Sequence, residues 1–180
     1  MNEEKILQLI QEDKWMMQIL QVARDLNLPD WAIGAGFVRN KVWDYLHEFE
    51  KTPLDDIDLV YFDKSNLSEE YEKGLEKILK EKLNVEWSVK NQARMHIRND
   101  EDPYTSSEHA MSKWPETVTA IGVTLDDENK LKLIAPYGIN DLINLKIRIS
   151  PNFNKNPEIF RERIKNKNWL TKWPKLEVVE

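Results

Sequence analysis

Cysteine is missing from all 180 residues. That one absence excludes disulfide scaffolds, thiolate zinc sites, iron–sulfur clusters and cysteine nucleophiles. No apolar run reaches the roughly 18 residues that a membrane-spanning helix needs. The opening stretch, MNEEKILQLI, carries acids where a secretory leader would be basic, so the expected location is cytoplasmic. A basic surplus is lacking too: 26 Lys and Arg stand against 32 Asp and Glu, a net charge of −6. This argues against a general DNA- or RNA-coating surface, while leaving room for a local cationic patch. Histidines number three, at positions 47, 96 and 109, and without cysteines they suggest no zinc site. Glycine is scarce, with five in the chain, so two of them close together draw notice. Hydrophobic residues at 41% and seven tryptophans, by contrast, supply a packed core. The length suits one domain over 1–180, with N-terminal helices in 1–28, a core over 31–148 and a helical tail over 150–180.

Periodicity sketches the elements. Asp13 caps a helix whose apolar face is Trp15, Met16, Ile19, Leu20 and Ala23, and Pro29 prevents its continuation. A short apolar piece, Trp31 to Ile33, runs into Gly34-Ala35-Gly36 and then a helix with Val38, Val42, Trp43, Leu46 and Phe49 on one face. Asp55 to Asp63 reads as a central strand. Ser68 caps a helix to Lys82 with Tyr71, Leu75, Ile78, Leu79 and Leu83 inward, and Val85 to Val89 alternates as a strand. Asn91 to Pro115 is a polar segment. Thr117–Leu125 and Lys130–Ala135 flank a turn as a hairpin, a short helix lies near Asn140–Asn144, and a charged helix spans Asn156–Lys167 with Ile159, Phe160 and Ile164 inward. The order predicts an α/β (α+β) fold with a small mixed sheet flanked by helices.

Two features carry chemistry. Asp56 and Asp58 are two apart in an apolar strand, so their carboxylates share a face. Like charges about 4 Å apart repel by roughly 4 kcal/mol at an effective dielectric of 20, which a cation between them relieves. Magnesium takes such hard oxygen ligands together with substrate phosphates. Glu86 on the next strand is a candidate third carboxylate if the strands are neighbours, and the alternative is a solvated edge residue. Three acids so placed would hold two magnesium ions for phosphoryl or nucleotidyl transfer. The second feature is Gly34-Ala35-Gly36-Phe37-Val38-Arg39-Asn40, a glycine turn opening a helix. Such a turn lets the backbone approach a phosphate, and Arg39 adds a charged partner. Its spacing is neither a Walker loop nor a dinucleotide fingerprint.

Together these motifs resemble the DNA polymerase beta-like nucleotidyltransferase superfamily, in the form of a compact bacterial family. The likeness is closer to the head domain of tRNA CCA-adding enzymes and poly(A) polymerases. There a Gly-Gly-x-Val-Arg-Asp run precedes Asp-x-Asp; here Ala35-Gly36-Phe37-Val38-Arg39-Asn40 precedes Asp56-Ile57-Asp58. Downstream, Thr117-Val118-Thr119-Ala120-Ile121 is similar to a Thr-Ile-Asn-Ala run. Leu133-Ile134-Ala135-Pro136-Tyr137-Gly138, with Asp141-Leu142 and Arg148, is similar to an Asp-Pro-Phe-Gly segment. The resemblance spans about 31–148. It implies a metal-dependent enzyme moving a nucleoside monophosphate from an NTP to an acceptor and releasing pyrophosphate. Asp56, Asp58 and Glu86 would be catalytic and metal-binding, and Gly34, Gly36, Arg39 and Arg94 would bind the nucleotide.

The sequence also departs from that pattern. Ala35 replaces a glycine, Asn40 replaces an acid, and the gap from Gly36 to Asp56 is longer than usual. Lys113-Trp114-Pro115-Glu116 stands where paired nucleotide-reading arginines are expected, so CTP and ATP specificity is not implied. Only about thirty residues follow Arg148, which makes a large tRNA or DNA substrate an unexpected partner. The expected acceptor is a small molecule, a nucleotide or a protein. The competing reading is a non-catalytic nucleotide-binding or regulatory domain that has lost transfer. Around the site, His96 is an acceptor contact or a satisfied surface histidine, and Tyr104 stacks on a base or packs. The tail interleaves Arg161, Arg163, Lys165, Lys167, Lys172 and Lys175 with Trp169 and Trp173. It reads as a solvated helix face whose tryptophans close the core.

Overall fold

Side-chain oxygens of Asn2 and Asp13 accept from the free amides of the turns that follow them, and each opens a helix, α1 (Glu3–Gln11) and α2 (Lys14–Arg24). The chain then forms β1 (Ala32–Gly34), α3 (Gly36–His47) and β2 (Ile57–Tyr61). Ser68 caps α4 (Glu69–Lys82), which crosses over to β3 (Trp87–Asn91). Asn91 caps α5 (Gln92–Asn99) and Ser106 caps α6 (Ser107–Met111). There follow β4 (Gly122–Leu125), β5 (Leu131–Ile134), α7 (Asn140–Ile143), β6 (Lys146–Arg148), α8 (Pro157–Lys167), α9 (Trp169–Lys172) and β7 (Glu177–Val179). The computed structural model describes residues 1–153 and 157–179.

The main sheet is mixed and five-stranded, in the order β3-β2-β1-β4-β5. β2 and β3 are parallel, joined by α4 as parallel neighbours require, and the other pairings are antiparallel. β6 and β7 form a separate parallel pair. Alternation along β2 decides what each sheet face does. Ile57, Leu59 and Tyr61 enter the main core with Trp87, Val89 and the apolar stripes of α2 and α3. The opposite face carries Asp58 and Val60, and only a small second cluster covers it: Ala32, Val60, Met111 and Ile134, with Trp114 against them. That thin cover leaves room for a cavity beside Asp58.

Several sequence expectations shift. The strand expected over Asp55–Asp63 is shorter, so Asp56 sits just before it and Asp58 is its second residue. Thr117–Ile121 is not a strand: Thr119 Oγ1 turns back to the Glu116 carbonyl and carboxylate, both at 2.9 Å, and the strand begins at Gly122. The polar segment 91–115 holds α5 and α6, whose signals are their caps rather than an apolar stripe. Tyr71, Ile78, Phe49 and Ile159 are exposed instead of inward. On α4 the buried face keeps Leu75 and Leu79 and takes in Glu72, which Arg94 binds, in place of Tyr71. On α8 it runs through Phe160 and Ile164, one step from Ile159. Asn156, the expected start of that helix, lies outside the described residues.

Candidate active site

The turn between β1 and α3 is fixed by its backbone. Ala35 has φ +49° and ψ −117°, the first central position of a type II′ turn, which glycine fills without strain. Its N–H donates to the Ile121 carbonyl at 2.8 Å and its carbonyl accepts from the Arg39 amide at 3.1 Å. Gly34 is needed for close approach, since a Cβ there would lie 2.7 Å from the Trp114 ring. Because alanine pays a conformational penalty at position 35, Ala35→Gly is expected to raise stability by about 1 kcal/mol, measured as a higher urea midpoint at unchanged slope.

Arg39, one turn into α3, is 7% exposed. Its guanidinium lies 4.4 Å over the Trp169 ring and 5.2 Å over Trp43, and Nε and Nη2 donate to Asn40 Oδ1 at 3.2 and 3.0 Å. It has no ion pair within 4.0 Å among the described residues. Burial lowers its pKa to about 10, against the opposing fields of Glu116 and Asp58, so it stays charged at neutral pH.

Across the cavity stand the carboxylates. Asp58 pairs in register with Ser88 of β3. Burial pushes the Asp58 pKa up to about 6, and the neighbouring Asp56 charge adds to the rise. Ser88, Arg39 and Lys167 pull the other way without cancelling it. A carboxylate held in this way is short of positive charge. Asp56 and Asp58 are hard oxygen donors on one wall, and one or two carboxylates plus substrate phosphates suit magnesium. The pair therefore fits that ion, although among the described residues no cluster of three His, Cys, Asp or Glu could hold a metal by itself.

The cavity, about 350 Å³, takes Gly36, Arg39 and Asn40 from α3, Asp55 and Asp56 from the segment before β2, and Asp58 from β2 itself. Gln92, Met95 and Asn99 of α5 line another side. A further wall is the C-terminal limb: Arg163 and Lys167 of α8, Trp169 and Lys172 of α9, then Trp173. Trp173 Nε1 donates to Asp44 at 2.8 Å and the Lys175 amide donates to His47 Nε2 at 3.0 Å, which ties the limb to α3.

Not every expected residue arrives. The Glu86 side chain is exposed and ion-paired with Lys80, away from the cavity wall, although its carbonyl accepts from the Ile57 amide at 2.8 Å. Arg94 grips Glu72 through Nε at 2.9 Å and Nη2 at 2.6 Å, and Glu69 through Nη1 at 2.7 Å. Its donors are committed to α4, where Glu72 is 1% exposed, so this arginine is not in the cavity wall. Tyr104 is buried between His96 and His109, with ring centroids at 6.0 and 5.7 Å, and its hydroxyl accepts from Asn99 at 2.9 Å. It packs, and His96 packs on it; neither lines the cavity. The tail cations correct the reading in the other direction. Arg163, Lys167 and Lys172 face the cavity, and the signal for them was the interleaving of bases with Trp169 and Trp173.

Comparison with known proteins agrees with this geometry. A family described as "Nucleotidyltransferase" matches residues 21–178. A solved structure described as revealing a CCA-adding enzyme head domain is 40% identical, with a TM-score of 0.87, over 99% of this chain and 96% of that one. A CCA-adding enzyme with CTP shares the fold at 15% identity, with a TM-score of 0.58, over 100% of this chain and 44% of its own. The Thermotoga maritima CCA-adding enzyme complexed with tRNA gives 18% and 0.55 over 100% and 43%. This chain thus spans less than half the length of those two enzymes. No protein of curated function matches.

Proposed function

The chain belongs to the nucleotidyltransferase family that it matches over residues 21–178, and from this we propose that it moves a nucleoside monophosphate from an NTP to an acceptor, releasing pyrophosphate. What supports the reading is a single juxtaposition: Asp56 and Asp58 share one cavity with the Gly36 turn and Arg39, which has no ion pair among the described residues. The acceptor oxygen attacks the α-phosphorus and the bond to the bridging oxygen breaks. Gly36 lets the triphosphate approach the α3 backbone, and Arg39 neutralises charge on the leaving pyrophosphate. Asp56 and Asp58 would hold magnesium, which when bound offsets phosphate charge and orients the reacting oxygens. Positioning and charge neutralisation carry most of such a reaction.

The test supplies each labelled NTP with magnesium and a cell extract, then follows pyrophosphate and the labelled product. Magnesium-dependent pyrophosphate release from one or more NTPs is the expected outcome. Tight nucleotide binding with no release across a panel of acceptors would instead favour the binding-domain reading. The placement of Glu86 outside the cavity, whose carboxylates are Asp55, Asp56 and Asp58, is the observation on that side.

A further inference from the structure

We propose that the C-terminal limb forms part of the nucleotide site, with Lys167 and Lys172 gripping the outer phosphates of the triphosphate across the cavity from the carboxylates. This rests on the nucleotidyl-transfer reading and adds a phosphate-binding wall to it. Both lysines line the cavity, and neither has a hydrogen bond or ion pair among the described residues. Arg163 beside them is already committed to the buried Glu116, with Nε at 2.8 Å and Nη2 at 3.3 Å from its carboxylate oxygens. Asn168, at φ +54°, turns the chain sharply between α8 and α9, so that both lysines reach the same space.

The limb is also braced. Trp169 carries Arg39 on its face, Trp43 meets Trp169 and Trp173 edge-on at 5.6 and 5.1 Å, and Asp44 holds the Trp173 indole. The lysine stems are therefore anchored on a fixed segment, which reduces the ordering cost when an anion binds. Charge selects the ligand. The chain as a whole carries −6, so its distant field repels an anion. Within the cavity the cations with no ion pair among the described residues are Arg39, nearly buried and bonded to Asn40, and these two ammonium groups. Three N–H donors on a compact point charge suit phosphate oxygens, which is what a triphosphate presents in excess of a monophosphate.

The test titrates sodium tripolyphosphate calorimetrically in EDTA at low salt, so that neither a base, a metal nor turnover contributes. Lys167→Gln and Lys172→Gln are each expected to weaken binding about 10-fold and the double variant about 100-fold, which is 1.4 kcal/mol for each tenfold step. Lys165→Gln, also on α8 but outside the cavity wall, should leave affinity within twofold. Thermal melts confirm that each variant is folded. Tripolyphosphate that fails to bind the wild type overturns the proposal. So does equal binding by the wild type and the double variant, or an equal loss in Lys165→Gln. Failure of the transfer reading registers separately, as absent pyrophosphate release with tripolyphosphate affinity intact.

Discussion

Asp58→Asn is expected to end pyrophosphate release while making the metal-free protein more stable. The loss of turnover should reach at least about 10³-fold, because several kcal/mol of charge stabilisation depend on the carboxylate that would hold magnesium. The gain in stability comes from the same side chain. Its folded pKa of about 6 lies above the ordinary aspartate value of 3.8, so folding costs free energy whenever the group is ionised. Two pH units correspond to roughly 3 kcal/mol as an upper figure. The sign follows from protons bound: between pH 4 and 6 the folded chain holds the proton more tightly than the unfolded one. Stability contributed by Asp58 is therefore full below about pH 4 and lost as pH rises through 6. Urea melts in EDTA should show wild type and Asp58→Asn nearly equal at pH 4, with the variant ahead at pH 7.5. A variant that is less stable at pH 7.5, or one that keeps full turnover, would refute the assignment of this residue.

Trp173→Ala should have the largest effect on the fold. The side chain is 1% exposed, meets Trp43 edge-on, and donates to Asp44. Removing a buried indole of this kind costs about 3–5 kcal/mol. Asp44 would keep only the Thr52 amide and hydroxyl, at 2.9 and 3.0 Å. Trp173→Phe keeps the aromatic body and loses the N–H, so its expected cost is about 1.5–3 kcal/mol, that of a hydrogen bond to a charged group. Denaturant midpoints at constant slope measure both. Equal effects from the two variants would mean that packing of the indole contributes little.

The mixed sheet was legible because its strands are short, apolar and separated by helices or a tight turn, and the spacing of Asp56 and Asp58 needed no tertiary information. The turn at Gly36 was legible for the same local reason. Arg94 was not, because its fate depends on Glu72 and Glu69, more than twenty residues upstream. From sequence, an arginine near a polar edge looks free to bind an anion; in the fold its whole fork is occupied. Lys167 and Lys172 failed in the opposite sense. An isolated charged helix looks solvated, and only the docking of Trp169 and Trp173 on α3 turns its cations toward Asp58. Alternation suggested that Glu86 lies on the adjoining strand, but that strand begins at Trp87 and the Glu86 carboxylate is held by Lys80 of α4. Strand neighbours can be guessed from pattern; the partner that captures a long side chain cannot.

Because the cavity draws on residues 35–60, 90–119 and 163–173, its C-terminal wall meets the Gly36 turn and the carboxylates through contacts of very long sequence separation. Closing so large a loop comes late in folding, after the sheet and its local helices can already have formed. Ligand binding therefore reports on that final docking event, and a species with full secondary structure but an undocked limb would register as native by circular dichroism while having no place for a nucleotide.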